Sequence, residues 1–303
     1  MNASLDFIMI GAQKCATSWV YYCLRDHPEI CLPQKKREVE YIGGDRYQKR
    51  GTAWFKSLLD HCEANRVVGD VSVDYLIDPR SPKAVERHTS EVKLIVSLRE
   101  PVDRAVSAYF WNLRRGSVQD LDVSVGLNRA VQAWLDAPGL DGYDPNACVR
   151  NLIARGMYAE QLRRYADRFG RRDLFVIFYD DLRKRPLDLL QKLYGFLDVD
   201  PAFKPVSLSR QPKRNSYARP LLRFERSTPD WVLFNKLSDV ANQMLCKFEL
   251  GKERPGLAPE VARELYELYR SPNDDLRRFV AQLPESNVSS SLSGRLLWPS
   301  PRS

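Results

Sequence analysis

Short, almost wholly apolar runs alternate along the chain with longer stretches in which apolar residues recur every three or four positions. Residues 5–10 (LDFIMI), 67–71 (VVGDV), 93–98 (KLIVSL) and 173–179 (DLFVIFY) have strand length and little polar alternation, as in strands covered on both faces. Between them, helical spacing predicts helices over 17–26, 52–60, 80–88 and 101–114, then 147–168 and 181–197. A polar connection containing Gly, Asp and Pro is expected from the end of the 101–114 helix to about residue 145, and the C-terminal part reads as mostly helical. Strands that alternate with helices imply a parallel, doubly wound α/β sheet with right-handed crossovers, whose ligands lie across the carboxyl ends of the strands. No linker, repeat or change of composition divides the chain, so one domain is expected over 1–284, followed by a mobile Ser/Pro-rich tail over 285–303.

Two of the strand ends carry chemistry. The first strand runs into Gly11-Ala12-Gln13-Lys14-Cys15-Ala16-Thr17-Ser18 and then directly into a helix. A glycine at the strand exit, helix-opening amides that converge on one point, the helix dipole and the hydroxyls of Thr17 and Ser18 together make a cradle for a phosphate, with Lys14 as a mobile positive charge. In the common nucleotide loop G-x-x-x-x-G-K-[ST], lysine precedes the last hydroxyl residue. Here Thr17 takes that slot, Ala16 replaces the second glycine and the lysine has moved back to position 14, which argues against an ordinary ATP or GTP site. The fold expected is therefore P-loop-like without being that of a nucleoside triphosphatase. The strand at 93–98 ends in Arg99-Glu100-Pro101, with Ser107 about two turns into the following helix. Kinases and ATPases usually offer an aspartate for Mg²⁺ at such a strand end; this chain offers a guanidinium suited to a second phosphate.

The two segments carry a resemblance. The pattern G-x-x-K-x-[GA]-T-[ST] resembles the 5′-phosphosulfate loop of sulfotransferases that use 3′-phosphoadenosine 5′-phosphosulfate (PAPS), and Arg99-Glu100-Pro101 with Arg104 and Ser107 resembles their 3′-phosphate segment, R-[DE]-P-x-x-R-x-x-S. Asp26-His27-Pro28-Glu29-Ile30, Leu32-Pro33 and Arg37-Glu38-Val39-Glu40-Tyr41 are similar to a run in the heparan-type and bacterial carbohydrate sulfotransferases, and the likeness extends over roughly residues 5–283. The resemblance implies the following roles. Lys14 neutralises the bridging oxygen of PAPS; Thr17, Ser18 and the amides of 14–18, including those of Cys15 and Ala16, hold the 5′-phosphate; Arg99 and Ser107 hold the 3′-phosphate. Glu38 is the implied general base, with Glu40 as its nearest competitor. A histidine base, as in the cytosolic aryl sulfotransferases, has only His27, His61 and His88 to draw on, and none stands where that family puts its base. A loop closing over the nucleotide is implied at Lys252–Pro255, through Arg254, or equally at Lys213-Arg214-Asn215. The chain departs from the pattern at Arg37, Val39 and Tyr41-Ile42, and Asp70-Val71-Ser72-Val73-Asp74-Tyr75 lacks a lysine that some relatives carry near the acceptor. PAPS would be the donor, PAP the product, and no metal would take part. The acceptor would be a hydroxyl, less readily an amine, of a carbohydrate, glycolipid or secondary metabolite. A nucleotide-dependent kinase with an unusual loop, and a non-catalytic protein that binds PAP or nucleic acid, are the competing readings.

Composition adjusts this picture in three places. The net charge of +8 is spread over short basic clusters interleaved with acids, which suits a polyanionic small ligand and not nucleic acid. The six cysteines show neither paired spacing nor C-x-x-C, and the three histidines make no zinc pattern, so reduced thiols in a cytoplasmic enzyme are expected. Cys15, inside a cationic helix-start loop, is expected either to have a lowered pKa or to serve as a small buried filler. No apolar run approaches the ~20 residues needed to span a bilayer, so stable membrane insertion is not expected. Oligomeric state stays open.

Overall fold

The computed structural model describes residues 5–33, 42, 45–63, 66–89, 91–210, 256–290 and 298. Five parallel strands form one sheet: β1 (Phe7–Gly11), β2 (Ile30–Cys31), β3 (Val67–Val71), β4 (Lys93–Leu98) and β5 (Leu174–Phe178), in the order β2-β3-β1-β4-β5. The chain goes from β1 to the edge strand β2, returns to β3 between them, and then crosses β1 to build the other side from β4 to β5. The β1/β4 boundary is thus the switch point, where crossovers leave in opposite directions and open a crevice at the carboxyl ends.

Alternation along the strands builds two layers. Ile8, Ile10, Leu94, Val96, Leu98, Val176 and Phe178 pack on one face with α7 (Tyr158–Phe169) and the end of α10 (Pro259–Val280). Phe7, Met9, Ile95, Phe175 and Ile177 pack on the other with α1 (Thr17–Asp26) and α9 (Pro186–Phe196). A third cluster joins α4 (Pro101–Arg114), α5 (Val123–Asp136) and α6 (Cys148–Ala154) to α10. The remaining α-helices among the described residues are α2 (Asp45–Ser57), α3 (Ser81–His88) and α8 (Tyr179–Lys184).

The doubly wound α/β expectation holds, and β3, β4, α1 and α4 have the bounds read from the pattern. Four expectations need correction. The polar connection contains α5, capped by Asp122, whose Oδ1 accepts from Ser124 N at 2.7 Å, and anchored by buried Val123, Leu127, Ala130, Val131 and Trp134. The helix expected over 147–168 is two helices, α6 and α7, because the chain turns at Gly156, where an added Cβ would lie 2.7 Å from the Tyr269 ring. The helix over 181–197 divides into α8 and α9 where Pro186 opens a new first turn. The helix over 52–60 ends at Ser57 and joins an earlier turn across Gly51 at φ 71. At the start of the expected tail, Val288 bridges Val176 in parallel, and the Ser289 hydroxyl donates to Asp181 at 2.7 Å and accepts from Phe178 N at 2.9 Å.

The expectation of reduced thiols fails for one pair. Cys31, at the end of β2, and Cys62, in the turn after α2, are joined in a disulfide with Cα atoms 5.7 Å apart. Their separation of 31 residues has no local signature, because tertiary packing brings them together. Among the described residues no helix is long and apolar enough to cross a membrane.

Candidate active site

The loop after β1 is fastened to β4 at two points: Ala12 N donates to Ser97 O at 2.9 Å, and the Ser97 hydroxyl donates to Cys15 O at 2.6 Å. Gly11 sits at φ 155, and a Cβ there would come within 3.0 Å of the Leu76 Cβ. Lys14 and Ala16 adopt left-handed backbone at φ 68 and 63. For non-glycine residues this costs about 1–3 kcal/mol each, a strain typical of segments that must present their amides to a ligand. Among the described residues no side chain caps α1, and with Trp19 N taken by Ala16 O at 2.9 Å the N–H groups of Thr17 and Ser18 remain to meet an anion at the crevice. Thr17 is buried and Ser18 half-buried in the first turn, while Cys15 N is already engaged by Ala12 O at 3.3 Å.

Arg99 follows β4, with its guanidinium 3.1 Å from Asp103 Oδ2 and 4.8 Å from the centre of the Tyr179 ring. Ser107 is half-buried two turns along α4. Glu100 caps α4, accepting from Val102 N at 2.9 Å and Asp103 N at 2.7 Å, and burial pushes its carboxyl up to about 7. The crevice thus gathers the loop of residues 11–18 and the segment of Arg99 and Ser107 at adjacent strand ends.

Cys15 resolves as the buried filler. Its thiol is fully buried and its pKa is raised by burial, which outweighs the pull of the Arg104 and Arg99 charges. The loop's cationic face is its backbone face, whereas the Cys15 side chain turns inward, with its sulfur 3.8 Å from the Tyr158 hydroxyl. That hydroxyl donates to Arg99 O at 2.9 Å, so one buried phenol spans both segments. Arg104 lies beneath them, wholly buried, and its Nη2 donates to Leu152 O.

Sequence reasoning gave no role to Tyr158 or to Trp111. The Trp111 ring has Lys14 Nζ at 6.0 Å and the Arg115 guanidinium at 4.1 Å from its centre. An aromatic on a helix usually signals core, and only the tertiary contact with Lys14 distinguishes this one.

At the end of β3, Asp70 is buried, accepting from Tyr75 Oη at 2.8 Å and Ser72 Oγ at 3.3 Å, and burial raises its pKa to about 6. Tyr75 Oη in turn accepts from Ile42 N at 3.0 Å. Since the folded carboxyl holds its proton more tightly than the unfolded one, Asp70 favours folding at low pH, and that contribution is lost as pH rises through about 6. Asp70→Asn cannot ionise. Relative to the parent protein it is expected to gain about 2–3 kcal/mol in urea unfolding between pH 4 and 7, while Glu100 leaves a residual slope of the same sign up to about 7.

Of the histidines, His27 is structural: its buried ring packs 4.6 Å from Tyr194 and 4.7 Å from Phe203, with Nε2 3.0 Å from Asp200 O. His61 lies exposed in the turn after α2, and His88 is half-buried at the end of α3. Glu38, Glu40, Lys213, Arg214 and Arg254 lie outside the described residues.

Known proteins agree with this architecture. A sulfotransferase domain model matches residues 4–219. The chain is 25% identical over 233 residues to the human heparan sulfate glucosamine 3-O-sulfotransferase 5, covering 76% of this chain and 61% of that protein. It is 22% identical over 280 residues to the bifunctional heparan sulfate N-deacetylase/N-sulfotransferase 1 of Caenorhabditis elegans, covering 91% and 29%. The chain therefore spans less than two thirds of the length of these curated relatives. A sulfotransferase crystal structure from Alicyclobacillus acidocaldarius shares the fold, with a TM-score of 0.65, 23% identity and 94% and 98% of the two chains covered. With the matched model spanning well over half of its residues, the chain belongs to the sulfotransferase domain family.

Proposed function

We propose that the chain transfers the sulfuryl group of PAPS to an acceptor hydroxyl, chiefly of a carbohydrate, releasing PAP. The observation that carries this reading is the fastening of the Lys14 loop and the Arg99 segment to each other at the β1/β4 switch point, through Ser97 and Tyr158. Two anion-binding segments at fixed separation suit a ligand with a phosphate at each end. In this reading Ala16, Thr17 and Ser18 hold the 5′-phosphate, Arg99 and Ser107 hold the 3′-phosphate, and Lys14 faces the bond that breaks. The acceptor oxygen forms a bond to sulfur, the bond from sulfur to the bridging oxygen breaks with its electrons going to the 5′-phosphate of PAP, and the acceptor proton passes to Glu38. Catalysis on such a charged donor is mostly positioning and electrostatics. Arg254 or the Lys213–Arg214 pair would close over the nucleotide.

Support for Glu38 comes from both flanks of its segment. Tyr21 on α1 donates to Pro33 O at 3.1 Å, and Ile42 N donates to Tyr75 next to Asp70, so residues 33 and 42 are tied to elements that leave the crevice. A kinase reading would need a carboxylate for Mg²⁺ at the β4 end. Glu100, the acid there, instead caps α4. Residues 1–284 are read as one domain because α10 packs against both α4 and α7. A cytoplasmic location is a proposal against which the Cys31–Cys62 disulfide argues, since such bridges persist mainly in oxidising compartments.

Trp111, half-buried beside Lys14 with the Arg115 guanidinium over its ring, is the aromatic side chain placed to contact a sugar ring of the acceptor. Trp111→Ala is expected to raise the acceptor KM about two- to tenfold, roughly the 0.5–1.5 kcal/mol of an aromatic contact, with PAP affinity unchanged. The reading as a whole is tested by incubation with radiolabelled PAPS and a panel of saccharides in EDTA, beside ATP with Mg²⁺. It requires sulfate incorporation and no ATP turnover; ATP turnover with no sulfate transfer would replace it with the kinase reading.

A further inference from the structure

We infer that Cys31, His61 and Cys62 form a redox-gated metal site, which binds a thiolate-seeking divalent cation such as Zn²⁺ once the disulfide is reduced. The sequence shows no metal spacing, because one ligand comes from the end of β2 and two adjacent ones from the turn after α2. In the fold, the two sulfurs and an imidazole nitrogen all lie within 4.8 Å of one another. His61 Nε2 is 3.3 Å from Cys31 Sγ.

Bond lengths decide how much must move. With Zn–S of about 2.3 Å and Zn–N of about 2.0 Å in a tetrahedron, neighbouring sulfur and nitrogen ligands stand about 3.5 Å apart and two sulfurs about 3.8 Å apart. The Cys31–His61 edge is already within a few tenths of an ångström of that requirement. The sulfur–sulfur edge must open, which side-chain rotation on Cα atoms 5.7 Å apart allows, and the Cys62–His61 edge, which lies within 4.8 Å, must settle to about 3.5 Å. The oxidised sulfur is a weak hydrogen-bond acceptor, so the imidazole gains a stronger partner in a cation. Cys31 is buried, Cys62 half-buried and His61 exposed, which leaves the fourth position to water on the solvent side.

The chemistry balances with a dithiol as reductant. It supplies two electrons and two protons, the S–S bond breaks to two thiols, and the dithiol leaves as its own disulfide. Cation binding then displaces both thiol protons to solvent, while the neutral imidazole donates its Nε2 lone pair. Both states tie the sheet edge at β2 to the turn after α2, so the pair exchanges one cross-link for another.

The test uses the full chain, reduced with dithiothreitol, desalted without oxygen and titrated with Co²⁺ as a spectroscopic probe and then with Zn²⁺ as competitor. The expected result is one equivalent bound with a thiolate-to-cobalt charge-transfer band, none in the oxidised protein, loss of the band in Cys31→Ser, and 10–100-fold weaker binding in His61→Ala. His61→Ala keeps both cysteines, so its fold does not depend on the outcome. No band in the reduced parent protein, a band that survives Cys31→Ser, or undiminished affinity in His61→Ala would each overturn the assignment.

Discussion

Lys14→Ala is expected to lower kcat by about 10²–10³-fold while changing PAP affinity less than tenfold. The asymmetry follows from where charge develops. In bound PAPS the bridging oxygen carries little charge, and as the bond to sulfur breaks it takes up most of an electron, so a cation facing it acts on the transition state more than on the ground state. The substitution is clean because Ala faces the same left-handed backbone at φ 68 as Lys, and the loop stays fastened by Ser97. Lys14→Arg is expected to restore little, since a planar guanidinium does not reproduce a compact ammonium at one oxygen. Single-turnover transfer at saturating PAPS, with calorimetry of PAP alongside, separates the two effects. An unchanged kcat would remove Lys14 from the chemistry.

Glu38→Gln is expected to lower kcat by about 10²–10⁴-fold with PAP binding intact. The amide keeps the size and polarity of the carboxylate and cannot accept a proton, so the acidic limb of the pH–rate profile should vanish with the rate. Glu40→Gln is the control, because the sequence alone leaves that residue as the competitor, and it should leave the limb in place. If Glu40→Gln shows the large loss and Glu38→Gln does not, the base is reassigned by two residues while the donor site stands.

The parts of the fold that could be read in advance are those where one local signal was enough. β4 is a largely apolar run ended by Arg99-Glu100-Pro101, and α4 begins where Pro101 favours a helix start, so both came out with correct bounds. The α5 helix escaped because its apolar stripe sits between stretches rich in Gly, Asp and Pro, and its docking depends on Gly126 admitting Tyr109: an added Cβ would lie 2.0 Å from the phenol oxygen. The break between α6 and α7 is equally tertiary, set by Tyr269 against Gly156.

The site divides along the same line. The placement of Lys14, Thr17, Ser18 and Arg99 at the ends of β1 and β4 was legible because glycine exits, helix starts and strand ends are local features with fixed electrostatic meaning. Tyr158, Trp111 and the Cys31–Cys62 bridge were not, because their roles come from partners 59, 97 and 31 positions away. The lowered pKa considered for Cys15 failed for a related reason. Proximity in sequence to a cationic loop does not say which way a side chain points, and this one points into the core.

The central claim is that the β1/β4 crevice grips both ends of one bis-phosphorylated nucleotide without a divalent ion. The most direct measurement is a calorimetric cycle in EDTA: PAP and AMP, which lacks the 3′-phosphate, each titrated into the parent protein and into Arg99→Ala. The account predicts that the parent protein binds PAP about 10–100-fold more tightly than AMP, as a charge-assisted hydrogen bond of about 1.5–3 kcal/mol implies, and that Arg99→Ala abolishes this preference while leaving AMP affinity nearly unchanged. A preference for PAP that survives Arg99→Ala, or PAP binding that appears only when Mg²⁺ is restored, would contradict it.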